Sequence, residues 1–150
     1  MIRIISAIVA FIGAAFQIFT SKTPPEEAFL FNFIVFIIGF WGISAFIAYC
    51  FKPDVGWQPK VLFRKVVAFF NLFRGILGIL CIWFSGDFWT ITVVVSSIFI
   101  FSYGCYEFKH VEEIGSSENK PTYYTDFIVS FDLFFPLALI VLLVVYKIGM

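Results

Sequence analysis

Two ionisable residues, Arg74 and Asp132, interrupt long apolar runs. In hydrocarbon an ionised side chain costs several kcal/mol, so such residues pair, line a water-filled space or carry function. At about 1.5 Å of rise per helical residue, Arg74 lies roughly 13 Å beyond Lys65 and Asp132 roughly 9 Å beyond Asp126. If both helices start on the same side, the longer Arg74 side chain leans back toward the level of Asp132, and a neutralising pair is allowed. Asn71, Arg74, Gly75 and Gly78 fall at i, i+3, i+4 and i+7, one continuous helix face that is polar and then small. One reading makes Arg74 and Asp132 a pair that glues two helices while Asn71 bonds across the bundle, and a second has Arg74 snorkelling. A third makes Asn71, Arg74 and Asp132 a site for a solute, a proton or a lipid headgroup. Pro136, one turn past Asp132, frees a backbone carbonyl that could bend its helix or accept a hydrogen bond.

A second group of candidates sits near a polar segment. Glu107 and His110 are spaced i, i+3, the carboxylate and imidazole spacing of di-iron bundles. The motif occurs once and His110 is the only histidine, so a metal or haem site within one chain lacks its remaining ligands. Asp126 completes the set of groups that could act at a helix end. Cys50, Cys81 and Cys105 form no Cys-x-x-Cys pair, which argues against thiol-disulfide exchange and for buried free thiols. No phosphate loop, nucleophile elbow or metalloprotease helix is present. No metal and no cofactor is implied.

The elements that must position these residues follow from composition. Of 150 residues, 61% are hydrophobic and 22% aromatic, with 23 Phe, while only 13% are charged. A water-soluble domain averages near half apolar and a quarter charged, so the chain is expected to meet lipid. Ten basic residues balance ten acidic ones, which excludes a basic nucleic-acid binder. A bilayer crossing needs about 20 mostly apolar helical residues. Five stretches qualify, and they predict an all-α polytopic transmembrane bundle in a single domain, with spans at 4–19, 28–51, 63–84, 88–106 and 127–146. Thr23 is the expected N-cap of the second helix, with Pro24, Pro25, Glu26 and Glu27 in its first turn. Ser85-Gly86-Asp87 predicts a tight turn. The segment from Glu107 to Asp126 reads as a solvated connector, and Asn32 as a shallow position without a role.

Sidedness checks the count. With five spans, Arg3, Lys52, Lys60, Arg64, Lys65, Lys109 and Lys120 share one face, against Lys22 and Lys147 on the other. The positive-inside rule then puts the N-terminus in the cytoplasm and the C-terminus outside, in the cell (inner) membrane. The first span reads as an anchor helix with Gln17 near its outer end. Its Gly13-Ala14-Ala15 run leaves an uncleaved signal as the alternative. Gly39, Gly42, Ser44, Gly75, Gly78, Ser96, Ser97 and Gly104 are expected packing positions where helices approach closely, with Phe side chains filling around them. Trp57, Trp83 and Trp89 fall near span ends. Trp41 lies mid-span, so its ring N–H needs an internal partner or a crevice.

The run from Val67 to Gly78, which contains Asn71-Leu72 and the two glycines, resembles an uncharacterised family of small bacterial and archaeal multi-span membrane proteins. The segments from Ser97 to Gly104 and from Tyr124 to Asp126 carry the same resemblance, which spans roughly residues 36–132. Members often have an acidic residue shortly before the Asn, where this chain has Arg64, Lys65 and Val66. The resemblance implies an architecture and directs attention to Asn71, His110 and Asp126. It implies no mechanism.

Three functional readings follow. The first is a non-enzymatic bundle, free-standing, homo-oligomeric or an accessory subunit of a larger membrane complex, and it predicts a dry interior. The second is a small transporter or a lipid- or solute-binding protein, with a cavity at Asn71, Arg74 and Asp132. The third is an enzyme at the cytoplasmic face, for which Glu107, His110 or Asp126 must converge.

Overall fold

The computed structural model describes residues 2–51, 61–109 and 122–149, and among them every regular element is helical. Five helices follow one another: α1 (Ile2–Ser21), α2 (Pro25–Phe51), α3 (Val61–Leu80), α4 (Asp87–Lys109) and α5 (Thr122–Gly149). Each predicted apolar run falls on one of them. Three helices have segments long and apolar enough to cross a membrane: Ile4–Ser21, Pro25–Phe51 and Asp87–Tyr106. In α3, Arg64, Lys65 and Arg74 dilute the apolar run, and in α5 the apolar stretch Leu133–Gly149 is shorter.

The boundaries differ from expectation for local physical reasons. Lys22, at a φ of 53°, takes the left-handed conformation that terminates α1. This is a role usually given to glycine, because a Cβ there costs roughly 1 kcal/mol. The N-cap of α2 is Pro24 and not Thr23, and no side chain caps this end. Pro25 occupies the first turn, where a missing N–H costs nothing, and the first backbone bond runs from Ala28 N to Pro24 O at 3.0 Å. The third helix stops at Leu80, four residues short of its expected end. Cys81 to Trp83 form a tightened turn, with Ile82 N to Ile79 O at 3.1 Å and Trp83 N to Leu80 O at 3.0 Å. The indole N–H of Trp89 donates to Cys81 O at 3.0 Å, which satisfies one of the carbonyls orphaned at this end. Gly86 then turns the chain at a φ of 68°, which only glycine adopts without strain. At the last connection both helices overrun the expected loop. Glu107 lies in the last turn of α4, and Asp126 lies inside α5, which begins at Thr122 and not at 127.

The second helix is the axis of the bundle. Half of its apolar window is buried, against 17% for α1. Leu30, Ile34, Ile37 and Ile38 form its share of the core with Val93 and Leu139. Between Phe33 and Phe40 it widens to a π-helix, a local rewinding that changes the direction in which the following residues point. Against its N-terminal half lie α1 and the C-terminal part of α5; against its C-terminal half lies α3; α4 pairs with α5.

The α2–α3 seam is a glycine interlock. A Cβ on Gly42 would come within 2.8 Å of Asn71 O and Gly75 Cα, one on Gly75 within 2.8 Å of Ile43 N, and one on Gly78 would enter the backbone of Gly39. These four expected packing positions thus hold two backbones in direct contact. At the end where α2 and α4 begin and α5 finishes, Lys147 meets Asp87 at 3.4 Å, and Glu26 lies beside Gly149. The bundle therefore alternates in direction.

Large apolar side chains cover the outside. Phe16, Phe69, Ile98, Phe134 and Val141 are each more than 60% exposed, and every helix contributes such residues.

Candidate functional site

Charge is buried at one place among the described side chains. Arg74 is 4% exposed, as is Asn71 one turn earlier on the same face of α3. The glycine seam brings α2 so close that Trp41 lies directly across from Arg74, with the guanidinium carbon 4.6 Å from the centre of the indole ring. From α4, Phe99 adds a second ring centre at 5.7 Å. Cation–π contacts in a desolvated site contribute about 2 kcal/mol, and they fix the guanidinium between two helices. Trp41 is buried, 6% exposed, and its ring faces a charge.

Beside the guanidinium lies a cavity of about 30 Å³. Trp41, Ala45 and Tyr49 of α2 line it at i, i+4 and i+8; Asn71 and Arg74 come from α3; Phe99, Ile100 and Tyr103 come from α4. The hydroxyls of Tyr49 and Tyr103 are hydrogen-bonded at 2.6 Å and tie α2 to α4 at the edge of this space. Asn71 uses its Nδ2 within its own helix, donating to Val67 O at 2.9 Å. The predicted face of Asn71, Arg74, Gly75 and Gly78 is therefore one continuous strip, its glycines giving the approach and its polar residues bordering the cavity. Trp41 was marked as unusual by its mid-span position. Tyr49, Phe99 and Tyr103 were not singled out, although Trp41/Tyr49 and Phe99/Tyr103 recur at helical spacing and could have been read as aromatic faces.

None of the remaining predicted site residues has a described side chain. Asp132 lies in α5, one turn before the buried Pro136, and its side chain falls outside the described residues, as do those of Glu107 and Asp126. His110 is itself outside them. Ser97 of α4 donates to Pro136 O at 3.5 Å, a link between α4 and α5. Of the three cysteines, all free, only Cys81 is fully buried, with Thr92 as hydrogen-bond partner at 3.5 Å; Cys50 is exposed, contrary to the expectation of a buried thiol.

A second polar contact, to which no role had been given, joins α1 to α2. Asn32 is 4% exposed and its Nδ2 donates both to Gln17 Oε1 at 2.7 Å and to Ala28 O at 2.8 Å. A Cβ on Gly13 would collide with the Asn32 carboxamide. Because α2 begins at Pro25 and not at 28, Asn32 is about 10 Å into its helix, too deep for a cap.

A family model described as a family of unknown function, DUF6790, matches residues 1–149. The chain belongs to the DUF6790 family. The match extends the resemblance carried by residues 36–132 to almost the whole chain, so the helix that begins at Ile2 and the one that ends at Gly149 fall within the DUF6790 region. No curated protein and no solved structure matches this chain. What a DUF6790 member does must therefore be argued from the site itself.

Proposed function

We propose that this protein is a five-span integral membrane protein of the cell (inner) membrane, a non-enzymatic helical bundle that stands alone, self-associates or serves a larger membrane complex as an accessory subunit. The observation that carries this reading is the apolar exterior: from Ile4 on α1 to Ile148 on α5, large hydrophobic side chains point outward on every helix. A soluble monomer rarely exposes so much apolar area, whereas lipid covers it without cost. The alternating helix directions and the seven-to-two division of basic loop residues support five crossings, with the N-terminus cytoplasmic and the C-terminus outside. Among the described residues, the polar side chains that meet across helices do so in pairs that join helices, as in Gln17–Asn32 and Tyr49–Tyr103. A compartment-sensitive reporter fused after Met150 tests the crossing count: periplasmic signal is expected, and cytoplasmic signal overturns five spans.

The cavity at Arg74 favours a second reading, in which Asn71 and Arg74, with Asp132, form a binding crevice for an anionic solute, a headgroup or a proton. A bundle that only packs would keep this space dry and apolar, and here it is bordered by a guanidinium, a carboxamide and two phenols. Native mass spectrometry of the detergent-extracted protein separates the readings. A retained solute or lipid lost in Arg74→Gln supports binding, and a retained partner chain with no small molecule supports the accessory role.

A further inference from the structure

We propose that the groove between α1 and α5 holds one acyl chain of a phospholipid with a zwitterionic, amine-bearing headgroup, drawn from the leaflet at the end where α5 finishes. This site is separate from the Arg74 cavity, and the proposal rests on the membrane-spanning reading. Both helices pack on the N-terminal half of α2 and leave between them a groove of about 490 Å³. Phe11 forms one wall, Phe29 and Phe33 the floor, and the α5 face from Phe135 through Ala138 to Val145 the other wall. Every lining residue is Phe, Ala, Leu or Val, so a polar solute finds no hydrogen-bond partner there, whereas a hydrocarbon chain needs none.

Dimensions select a single chain. The α5 wall, from Phe135 to Val145, is about 15 Å long at the helical rise, half of a hydrocarbon core of about 30 Å. The rings of Phe11, Phe33 and Phe135, with successive centres 5.2 and 6.1 Å apart, cross the groove at its inner end. A chain from one leaflet therefore fills it, and the rings, packed on one another, keep it from collapsing. The groove has room for about sixteen units of water size, near 30 Å³ each, and a methylene is about as large. A helix about 10 Å across occupies roughly 1,200 Å³ over the same length, so a helix from a second copy is too bulky to enter.

Charge at the mouth selects the headgroup. Glu26 stands one turn before Phe29 on the same face of α2, and it lies beside Gly149, one turn beyond Val145. Lys22, exposed just past the end of α1, brings a cation to this end, and Glu27 brings a second carboxylate. A cation for the phosphate and a carboxylate for the amine match a headgroup that carries both charges, whereas two carboxylates repel a net anionic one.

Native mass spectrometry tests this on the full protein, extracted in detergent, stripped of lipid and offered phosphatidylethanolamine and phosphatidylglycerol with matched acyl chains. One phosphatidylethanolamine per protein, preferred over phosphatidylglycerol, is expected. Ala138→Trp fills the groove from a lipid-exposed position and should weaken binding about tenfold, the loss of about two buried methylenes. Ile140→Trp, on the exposed surface of α5 outside the groove, should leave it unchanged. Should Ala138→Trp fold poorly, Glu26→Gln should still lower the preference for phosphatidylethanolamine about threefold, the size of an exposed ion pair. A ladder of lipids with no one-to-one step, or equal losses in both tryptophan variants, means an ordinary lipid shell and overturns the proposal. A dimer that Ala138→Trp dissociates also overturns it, because the groove is then an interface between copies. Equal retention of the two lipids overturns the headgroup assignment. Protein that stays in solution without detergent removes the membrane reading as well, whereas protein that needs detergent but binds no lipid removes the groove proposal alone.

Discussion

The α1–α2 contact and the α2–α3–α4 junction each bury polar groups deep within an apolar bundle, and they do so in opposite ways. At the first, Asn32 gives its amide protons to Gln17 and to Ala28 O, with Gly13 making room and only neutral groups involved. At the second, a guanidinium lies between two aromatic rings and borders a cavity. A polar group whose donors end on its own neighbours is an adhesive between helices. A charged one held at the wall of a polar space costs far more to bury. The first region is neutral and closed on itself, whereas the second holds a charge beside a cavity.

The largest way to break this contrast is to push the helices apart. Gly78→Leu drives a side chain into the Gly39 backbone and should cost about 3 kcal/mol or prevent folding, because overpacking against backbone cannot be relieved by a rotamer change. Thermal unfolding in detergent reads this, and Trp41 fluorescence should shift as the indole leaves Arg74. The same substitution at Gly86, where a Cβ meets nothing, should cost only the strain of its positive φ. Equal losses at the two positions would mean that the seam is not what holds Arg74 in place.

Next in size is the pairing proposed from sequence. A double-mutant cycle on Arg74→Leu and Asp132→Asn should show a coupling of about 2 kcal/mol, since removing one member of a buried pair strands the other. Additive losses would refute the pairing and leave the aromatic rings as the groups that hold the guanidinium.

How far these regions could be read in advance differed, and for identifiable reasons. The five apolar runs and the Asn71–Gly78 face were legible because length and the 3.6-residue period are written directly in the chain. Asn32 was misread because its depth depends on where α2 starts, and Pro25 opens the helix three residues before the apolar run does. The end of α3 was misread because Cys81 to Phe84 are apolar yet turn, a matter of Gly86 and a hydrogen bond from Trp89. The start of α5 was misread because Tyr123, Tyr124 and Asp126 lower hydropathy without breaking a helix. The π-helical stretch Phe33–Phe40 left no mark at all: a uniformly apolar sequence looks the same however it is wound. Trp41 follows it directly, so the cage around Arg74 depends on the one element that periodicity cannot show.

The smallest expected effect sharpens the contrast from the structural side. Asn32→Leu removes the bond to Gln17, and membrane-embedded side-chain bonds of this kind average about 0.6 kcal/mol, so the unfolding temperature should fall slightly. Gln17→Leu should do the same, and the double variant should lose little more than either single one, because an apolar pair of similar volume leaves no orphaned side-chain donor or acceptor, and the Ala28 carbonyl loses only the extra bond that it accepts from Asn32. Trp41 fluorescence, which reports the indole against Arg74, should be unchanged in all three variants. If Asn32→Leu instead shifted the Trp41 emission while leaving the protein folded, the α1–α2 contact would be coupled to the arginine cavity along α2, through the π-helical stretch that separates them, and the contrast between the two regions would not hold.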